Sequence, residues 1–539
     1  MTDAISAPDL SAAKAVVDLA QRVVDAARGQ LAAGGSIDEQ QVLAYDVAHA
    51  AATVETGRAM LSYGDKGEVE ARMACAYVAD AVGELVGKVF GREAEWGVEP
   101  GALDDARGFL AAFRAPAFLA ALGMEAGPRH LDPDFELVQD TFRRFADEKL
   151  KPIAEHVHRH NADIPEDIIE GLAEMGAFGL SIPAEYGGYS EGGEGEYIGM
   201  VVATEELSRG SLGAGGSLIT RPEILTRALL AGGTEEQKQA WLPRLATAEI
   251  MNAVAVTEPD YGSDVAGIKV TATRTDDGSG WLINGVKTWC TFGARADVLM
   301  LLARTDPDRS LTHKGLSMFI VPKPRGEGHG FELTQEAGDG APGGGKMEGR
   351  PIDTIGYRGM HSYEIAFDSW YVPAENQIGL DSGLGKGFYY QMAGFENGRL
   401  QTAARAIGVM QAAYEDARQY ALDRVVFGKP IAEYQLTLAK LGRMAVLIQA
   451  ARQFSYEVAR LMARGEGQLE ASMVKAYVCK AAEWVTREAM QIHGGFGYAE
   501  EYAVSRYFVD ARVLSIFEGA DETLCLKVIA KKLVADAKA

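Results

Sequence analysis

The sequence predicts an α+β protein that is mostly helical, with a compact β-domain set between helical regions. Hydrophobic residues make up 47% of the 539 residues, enough to build large buried cores. In the first and last parts of the chain, apolar residues recur at the i, i+3, i+4 spacing of a buried helix face. Between residues 251 and 377 they form short β-type runs separated by Gly, Asp and Pro. The expected order is therefore helices, helices, strands and helices.

Charge and cysteine usage exclude several classes of protein. The chain carries 53 Lys and Arg against 76 Asp and Glu, a net charge of -23, so its surface repels nucleic acid and anionic lipid. No run approaches the roughly 20 apolar residues that a membrane span needs, and the N-terminus lacks the basic and apolar segments of an export signal. The 4 cysteines lie far apart, which excludes a zinc cluster and favours a reducing compartment. We expect a cytoplasmic protein that binds neither nucleic acid nor membrane.

Residues 1–127 are predicted to be a helical extension. One apolar helix face comprises Val16, Leu19, Ala20, Val23, Val24, Ala27 and Leu31. Within the extension, GEVEARMACAYVADA (67–81) is similar to GQLEASMVKAYVCKA (467–481), including the Ala-Tyr-Val triplet. Two helices with similar packing needs can share these residues by chance; the alternative is that the extension is a degenerate copy of the C-terminal bundle. The N-terminal copy has no counterpart of the Phe-Glu-Gly near the end of the chain, so we expect the extension to be non-catalytic.

Further segments follow the extension. RHLDPD (129–134) marks a boundary, after which helical periodicity predicts a helical domain over 133–250. The β-type runs predict a central β-domain over 251–377, with a low-complexity loop, EAGDGAPGGGKMEG, at 336–349. Long helical patterns return over 386–539 and predict a C-terminal helical bundle.

The predicted β-domain contains stretches suited to ligand binding. AVTEPDYGSDVAG (255–267) follows a strand, and its glycines and hydroxyls let the backbone approach an anionic or planar ligand, although an ordinary β-turn is the alternative. INGVKTWCTFG (283–293) has an Asn-Gly pair typical of a hairpin, then Trp289 and Thr291 on one strand face. An indole and a hydroxyl on one face suit a flavin edge, although a buried core tryptophan is the commoner outcome.

The C-terminal region carries further candidates. RVVFGKPIAEYQ (424–435) places Arg424 just after a helix and Phe427 in a tight bend. QIHGGFGYAEEYAVSRYFVDAR (491–512) has a glycine cluster at a helix end, against which a pyrophosphate can lie together with Arg424. Each stretch taken singly can be purely structural. Their combined occurrence in this order is harder to explain by packing alone.

From about residue 135 to 535 the sequence closely resembles the flavin-dependent acyl-CoA dehydrogenases. AVTEPDYGSD and QIHGGFGYAEEYAVSRYFVD are similar to that family's two signatures, and GTEEQKQAWLPRLATAEI and RVVFGKPIAEYQ also match. The resemblance implies a helical domain, a central β-domain and a C-terminal four-helix bundle. It also implies bound FAD, an acyl-CoA substrate, an electron-transferring flavoprotein as acceptor, and a homo-oligomer, either a dimer or a tetramer.

The resemblance also assigns binding residues by position. Those of the β-domain that would line the flavin or flank its ring are Val256, Thr257, Gly262, Ser263, Trp289 and Thr291. Those of the C-terminal region that would reach FAD, in part that of a neighbouring subunit, are Arg424, Phe427, Gln435, Gln491, Gly494 and Gly495. Those that would contact the acyl-CoA are Ser263 at the start of the CoA channel, Arg399 near the thioester, and Gly519.

Glu518, in SIFEGADE (515–522), is the candidate catalytic base. It follows the apolar run VLSIF, and a solvated loop carboxylate is the ordinary alternative. Removing a proton α to a thioester requires a base in a desolvated pocket. Glu518 matches the base of the family's majority branch, which takes the α-proton while flavin N5 takes the β-hydride. A minority branch has its base where this chain has Gly398, and Glu396 lies two residues too early. We therefore expect the apolar run to form the wall of an acyl pocket.

Departures from the family pattern bear on the substrate. Tyr261 stands where a small residue is usual, Ala520 replaces a threonine, and Arg221 of GGSLITRPEIL replaces a smaller polar residue. A guanidinium can hold a carboxylate through two charge-assisted hydrogen bonds, which a dicarboxylic acyl-CoA such as methylsuccinyl-CoA requires. The alternative is that Arg221 pairs with a nearby acid such as Glu223. We expect a short branched or dicarboxylic acyl-CoA as substrate.

Two other functions stay open at this point. An acyl-CoA oxidase would pass electrons directly to oxygen, but the extension of such enzymes is normally C-terminal, whereas this chain ends soon after Glu518. A flavin-fold binding protein would lack the base, and the presence of Glu518, Thr291 and Arg424 disfavours it. Turnover with an artificial dye acceptor, with and without oxygen, separates all three functions.

Overall fold

The computed structural model describes residues 6–326, 329–338 and 344–538. The chain forms two compact units. We call the first the helical unit; it comprises residues up to 144, 201–210 and from 399 onward. We call the second the mixed unit; it comprises residues 145–200 and 211–398. The predicted order of helices, helices, strands and helices is confirmed.

The α-helices of the described residues are numbered in chain order. They are α1 (Leu10–Ala33), α2 (Gln41–Gly64), α3 (Glu68–Val89), α4 (Glu93–Trp96), α5 (Arg107–Phe113), α6 (Pro116–Ala121), α7 (Pro133–Phe145), α8 (Lys151–Arg159), α9 (Glu166–Glu174), α10 (Gly193–Gly210), α11 (Thr220–Gly232), α12 (Glu235–Ala246), α13 (Leu380–Gly383), α14 (Gly387–Asp423), α15 (Gln435–Ala463), α16 (Gln468–Ile492), α17 (Val504–Leu514), α18 (Asp521–Thr523) and α19 (Lys531–Lys538). Over the described part of the chain, no helix is long and apolar enough to cross a membrane.

Local capping explains where several helices begin. The Asp9 carboxylate accepts a hydrogen bond from the Ala12 amide at 2.9 Å, which satisfies one of the free N–H groups at the start of α1. At α12, Thr234 and Gln237 form a capping box, in which each side chain accepts from the backbone amide of the other. Short polar residues before an apolar periodic run therefore mark these helix starts.

The helical unit builds one core from helices near both ends of the chain. The apolar face predicted for α1 is buried. α1 packs against α19, and α2 and α3 pack against α15. Glycine permits the closest approach between α6 and α15, because a Cβ on Gly442 would lie 2.3 Å from the carbonyl oxygen of Leu119. The extension is thus part of the core of this unit.

The two similar sequence segments form equivalent helices within the helical unit. α3 begins at Glu68 and α16 at Gln468, each directly after the glycine of its segment. Tyr77 and Tyr477, which occupy the same position in the two segments, pack edge to face with ring centroids 6.0 Å apart. The similarity in sequence therefore corresponds to two helices that contact each other.

The strands of the mixed unit form one eight-stranded sheet in the order β1-β4-β2-β3-β8-β7-β6, with β5 paired to β4. They are β1 (Asn252–Ala255), β2 (Thr271–Arg274), β3 (Gly280–Thr291), β4 (Val298–Arg304), β5 (Leu316–Pro322), β6 (Phe331–Gln335), β7 (Gly345–Ile352) and β8 (Ser362–Pro373). β1 and β4 run parallel, and β4 and β5 run antiparallel. The helical unit adds a short hairpin, β9 (Val425–Val426) and β10 (Lys429–Pro430).

The prediction of a hairpin at Asn284-Gly285 is wrong. β3 runs straight through both residues, with a bulge between Ile283 and Gly285 that leaves Gly285 at a φ of 128°. A Cβ at Gly285 would lie 2.8 Å from a methyl carbon of Val270, so only glycine fits this conformation and this contact. The Asn284 side chain accepts a hydrogen bond from the Ser369 amide at 2.8 Å. An Asn-Gly pair suits a β-bulge as well as a turn, and here the long partner strand β8 decides between them.

The expectation of a loop over 336–349 is only partly correct. Residues 345–349 belong to β7, which pairs antiparallel with β6. Residues 339–343 of this segment lie outside the described residues. β7 buries Gly345, Met347 and Gly349 at alternate positions, as a regular strand does, although its sequence is rich in glycine.

Candidate active site

A buried ion pair between Lys287 and Glu258 fixes the turn that follows β1. Lys287 of β3 is fully buried, and its ammonium donates to the carbonyl of Val256 at 2.8 Å and to Glu258 Oε1 at 2.9 Å. Glu258 also accepts hydrogen bonds from the amides of Lys269 and Val270. Burial lowers the pKa of Lys287 to about 8, although the neighbouring Glu258 carboxylate acts to raise this pKa. The position of the predicted flavin turn is therefore determined by a satisfied polar network.

The candidate flavin residues of the mixed unit lie in this turn and on β3. Val256 is buried and Thr257 partly exposed, and the turn then leads to Gly262 and Ser263, which are both exposed. The backbones of Glu258 and Tyr261 exchange hydrogen bonds, so the stretch is also a tight turn. The two interpretations of this stretch, a ligand-binding segment and a β-turn, are thus compatible.

Trp289 lies on β3 with a half-exposed side chain, 55% of its surface being accessible. It has a φ of 57° at a second irregularity of the β3–β8 pairing. The Thr291 hydroxyl is partly exposed and lies 3.1 Å from the Ser362 hydroxyl, whereas Cys290 between the two residues is buried. An exposed indole with a nearby hydroxyl suits contact with a planar ligand, so the alternative of a buried core tryptophan does not hold.

Glu518 lies in a loop of the helical unit with an unfavourable backbone conformation. Its φ is 53°, and Gly519 follows at a φ of 97°. A non-glycine residue in this region costs of order 1–3 kcal/mol and persists only where its surroundings impose it. The side chain is nearly buried, with 9% of its surface accessible. Strain at a nearly buried carboxylate is typical of a catalytic group and not of a solvated loop residue.

Arg405 of α14 brings a positive charge close to this carboxylate. Its guanidinium is fully buried, with Nη2 located 4.0 Å from Glu518 Oε1. It donates to the Thr402 hydroxyl at 3.1 Å and lies over the ring of Phe517, 5.0 Å from the centroid. The contact with Phe517 fixes the residue directly before the base.

The loop around Glu518 is also attached to α16. The ammonium of Lys475 donates to the carbonyl of Gly519, and the hydroxyl of Ser515 donates to Glu483 Oε1. Burial lowers the pKa of Lys475. The positions 475 and 483 are two helical turns apart and lie on one face of α16, so this face holds both ends of the loop.

The apolar run before Glu518 does not form one continuous wall. Leu514 ends α17 and is buried in the core, but Ile516 is 54% exposed. The expectation that the run lines an acyl pocket stays a prediction, to which Leu514 contributes from the core and Ile516 with an exposed side chain. The chain leaves a helix at Leu514 and turns sharply, so the residues of the run point in different directions.

The candidate FAD residues of the C-terminal region are all exposed: Arg424, Phe427, Gln435, Gln491, Gly494 and Gly495. Phe427 and Gly428 form the turn between β9 and β10, with φ values of 51° and 88°. The predicted tight bend is therefore confirmed. Phe427 is almost entirely accessible, as expected of an apolar residue that contacts a ligand or a second subunit.

The candidate acyl-CoA residues lie in different elements. In the helical unit Arg399 of α14 donates to the Ser472 hydroxyl of α16 at 3.1 Å. In the mixed unit Arg221 lies in the first turn of α11 and is buried. Glu223 accepts from the Asn397 amide at 3.2 Å and lies 3.9 Å from the guanidinium of Arg227. Buried acids and cations thus surround the segment that carries Arg221.

Sequence reasoning did not identify Lys287, Arg405, Lys475 and Glu483 as residues of the site. One signal was available for Lys475, because it replaces Cys75 of the otherwise similar N-terminal segment. A buried lysine at a position where the similar helix has a small apolar side chain indicates a specific partner. The roles of Lys287 and Arg405 depend on contacts that distant parts of the chain bring to them.

The described residues fit a bound flavin nucleotide. A Cβ at Gly262, Gly494 or Gly495 would meet no atom within 4 Å, so open space borders the glycines at each predicted contact. In the mixed unit, hydroxyls at Thr257 and Thr291 and the exposed indole of Trp289 offer donors and a stacking surface to such a molecule; in the helical unit, the exposed Arg424 offers a cation to a phosphate.

Comparisons with known proteins agree with these features. Family models match the chain in order: the acyl-CoA dehydrogenase N-terminal domain over residues 132–249, the middle domain over 253–370 and the C-terminal domain over 385–533. The chain is 41% identical over 523 residues to the (2S)-methylsuccinyl-CoA dehydrogenase of Cereibacter sphaeroides, covering 93% of this chain and 92% of that protein. An alignment of this length extends into the N-terminal extension.

Solved structures match about three quarters of the chain. The glutaryl-coenzyme A dehydrogenase glutaryl-CoA complex is 30% identical with a TM-score of 0.67, covering 75% of this chain and 96% of that chain. A glutaryl-CoA dehydrogenase from Mycobacterium smegmatis in complex with FADH2 is 27% identical with a TM-score of 0.65, covering 76% of this chain and 96% of that chain. The fold class predicted from the sequence is confirmed by these matches.

Proposed function

Because the chain belongs to the acyl-CoA dehydrogenase family, we propose that it oxidises (2S)-methylsuccinyl-CoA to mesaconyl-CoA. Members of this family are flavoproteins that act on the CH–CH group of an acyl-CoA thioester. The observation that carries the choice of substrate is the 41% identity to a (2S)-methylsuccinyl-CoA dehydrogenase over 93% of the chain.

In the proposed reaction Glu518 removes the α-proton of the thioester. Its nearly buried carboxylate is held in a strained loop beside the Arg405 guanidinium, so few water molecules compete with the substrate for it. Gly519 follows directly and adds a backbone amide next to the base. FAD, when bound, supplies the acceptor for the hydride that leaves the β-carbon. Arg399 is assigned to the thioester end of the substrate.

We assign FAD contacts within each unit separately, those of the helical unit in part to the FAD of a neighbouring subunit. In the mixed unit the contacts are Val256, Thr257, Gly262, Ser263, Trp289 and Thr291, supported by the fixed turn after β1 and the exposed indole. In the helical unit they are Arg424, Phe427, Gln435, Gln491, Gly494 and Gly495, supported by their exposure. Ser263 also belongs to the CoA channel in this assignment.

An electron-transferring flavoprotein would accept the electrons, and the chain would form a dimer or tetramer in which Phe427 contacts a neighbouring subunit. All 4 cysteines are buried and free, which suits a reducing, cytoplasmic compartment. The domain division remains 1–127, 133–250, 251–377 and 386–539.

Arg221 is the proposed partner of the distal carboxylate of the substrate. It is a buried cation on α11, and a buried carboxylate requires such a partner. Replacing Arg221 with methionine should lower kcat/KM for methylsuccinyl-CoA by the equivalent of about 2–4 kcal/mol of transition-state binding. A neutral branched acyl-CoA should be affected far less. Equal losses on both substrates would show that Arg221 supports the fold and does not contact the carboxylate.

The substrate assignment is tested by anaerobic bleaching of the flavin with a panel of acyl-CoA thioesters. We expect methylsuccinyl-CoA to bleach the flavin fastest, ahead of isobutyryl-, butyryl- and glutaryl-CoA. Faster bleaching by any of the other three would contradict the assignment. Repeating turnover with a dye acceptor in air and without oxygen distinguishes a dehydrogenase from an oxidase, because only an oxidase turns over on oxygen alone.

A further inference from the structure

The loop of Glu518 ends at Asp521, whose side chain contacts residues of the N-terminal extension. Asp521 is buried and begins α18. The Tyr45 hydroxyl donates to Asp521 Oδ2 at 2.5 Å, and His49 Nε2 lies 3.2 Å from the same oxygen. Both partners belong to α2, which lies before the first family match at residue 132. The extension therefore contacts the loop of the proposed base.

Asp521 closes that loop through its backbone. Its amide donates to the carbonyl of Ser515 at 3.1 Å, so residues 515–521 form a closed turn with Glu518 inside it. The strained conformation of Glu518 persists only if the ends of this turn are held. The carboxylate of Asp521 is one such restraint, and Tyr45 and His49 fix it.

The contact of Tyr45 and His49 with Asp521 stabilises the charged form of the Asp521 carboxylate. Burial alone would raise the pKa of Asp521, but the hydrogen bonds and charges of His49, Tyr45 and Lys480 lower it to about 2. Asp521 is thus a buried anion at neutral pH that needs donors. Its neighbours His49 and Cys525 place ligand atoms within 4.8 Å of one another, but the ammonium of Lys480, 3.6 Å from Asp521 Oδ2, disfavours a metal ion there.

α2 packs against α16 and against residues 524–530, and a cavity lies beside this packing. Tyr45, His49 and Lys480 border a cavity of about 470 Å³. Side chains that border a cavity have fewer contact atoms than closely packed ones, so polar contacts add to the restraint of the loop there. The polar contacts to Asp521 therefore connect the extension to the loop here.

We propose that Tyr45 and His49 are positioning residues for the proposed base Glu518, acting through Asp521. The extension then has a catalytic purpose although it contains no catalytic group. This inference rests on the proposed role of Glu518. It predicts that removing both donors disturbs proton abstraction and leaves cofactor and substrate binding intact.

The test uses the full-length, FAD-loaded protein and compares Tyr45→Phe, His49→Ala and the double variant with the wild type. Measurements are kcat and KM for methylsuccinyl-CoA, deuterium exchange at its α-carbon, FAD content and thermal unfolding. We expect the double variant to lose about tenfold in both kcat and exchange rate, with KM and FAD content unchanged. His49→Gln should restore most of the loss caused by His49→Ala, because its amide nitrogen can donate from nearly the same place as imidazole Nε2.

Tyr77→Phe is the matched control. It removes a tyrosine hydroxyl of the same extension, which donates to the Thr53 carbonyl of α2 at 3.3 Å and not to the loop of Glu518. We expect its kcat and exchange rate to equal those of the wild type. Equal losses in Tyr77→Phe and Tyr45→Phe, or wild-type rates in the double variant, would overturn the inference.

Glu518→Gln serves as the reference that separates the two proposals. If Glu518→Gln abolishes exchange while the double variant exchanges like the wild type, only the positioning inference fails. If Glu518→Gln still exchanges at the wild-type rate, the proposed function of Glu518 fails, and the inference that depends on it fails with it.

Discussion

The helices α3 and α16 are alike in how they pack and differ in what they hold. Each begins directly after a glycine, and each buries the Met and the Val that the two segments share and at least two of the three shared Ala residues. At the position of Cys75, however, α16 has Lys475, which donates to the carbonyl of Gly519 beside the base. Where α3 has Arg72, α16 has Ser472, which accepts from the guanidinium of Arg399.

The polar residues of α3 have a different task. Asp80 accepts from Arg443 of α15 at 2.6 Å, and Arg72 donates to the carbonyl of Ala121 at 3.3 Å. Residue 480, the counterpart of Asp80, is a lysine that lies 3.6 Å from Asp521. The shared apolar positions therefore give the two helices similar packing. The polar positions of α3 attach it to the helices around it, whereas those of α16 attach it to the loop of Glu518.

Among variants of the two helices, the largest effect is expected when Lys475, the distinctive residue of α16, is replaced. Lys475→Met deletes the donor to the Gly519 carbonyl and should lower kcat by about 10- to 100-fold, because it loosens the loop of the base. The matched change in α3, Cys75→Ala, removes only a buried thiol and should leave kcat within about twofold of the wild type. Steady-state kinetics of both variants provide the measurement. A similar loss of kcat in both would contradict the difference drawn between the helices.

A smaller effect concerns alkaline pH. Burial raises the pKa of Cys75 from 9.0 to about 11, so the folded state binds the thiol proton more tightly than the unfolded state. Its contribution to stability is full below pH 9 and is lost as the pH rises toward about 11. Burial lowers the pKa of Lys475, so its contribution has the opposite sign: it grows as the pH rises from that lowered value toward 10.5.

The two variants separate these contributions. The unfolding free energy should be measured between about pH 8 and pH 11 for the wild type, Cys75→Ala and Lys475→Met. The unfolding free energy of Cys75→Ala should fall less steeply than that of the wild type over the upper part of this range. The unfolding free energy of Lys475→Met should increase less with pH than that of the wild type. Identical pH profiles for the two variants would contradict the opposite signs.

The smallest effect concerns the residue that both helices share. Tyr77 and Tyr477 form an edge-to-face pair, and such pairs contribute about 0.5–1.5 kcal/mol beyond their buried area. A double-mutant cycle with Tyr77→Leu and Tyr477→Leu should show a coupling energy of that size. Because the pair belongs to the common packing, kcat should change little in comparison with Lys475→Met. A coupling energy near zero would show that the contact between the two equivalent tyrosines is incidental.

The fold could be predicted from the sequence where periodicity is strong. The buried face of α1 and the order of helical and β-type regions follow directly from the spacing of apolar residues. The prediction of a hairpin at Asn284-Gly285 is wrong, because this pair permits either a turn or a bulge and pairing with β8 selects the bulge. Local sequence could not supply that information.

The site was predictable only in part. Glu518 and the predicted flavin-binding stretches belong to short motifs, which can be identified by their resemblance to the motifs of the family. The contacts of Glu518's loop are made by residues far away in the chain: Lys475 is 44 residues from Gly519, and Tyr45 is 476 residues from Asp521. Such pairs have no local pattern, because each partner alone is an ordinary helical or loop residue.

Deuterium exchange at the α-carbon of methylsuccinyl-CoA, catalysed by the wild type and by Glu518→Gln, tests the central claim most directly. The amide is nearly isosteric with the acid but cannot accept the α-proton. We expect Glu518→Gln to keep its full FAD content and to exchange at least about 10²-fold more slowly than the wild type. Exchange by Glu518→Gln at a rate close to that of the wild type would contradict the assignment of Glu518 as the base.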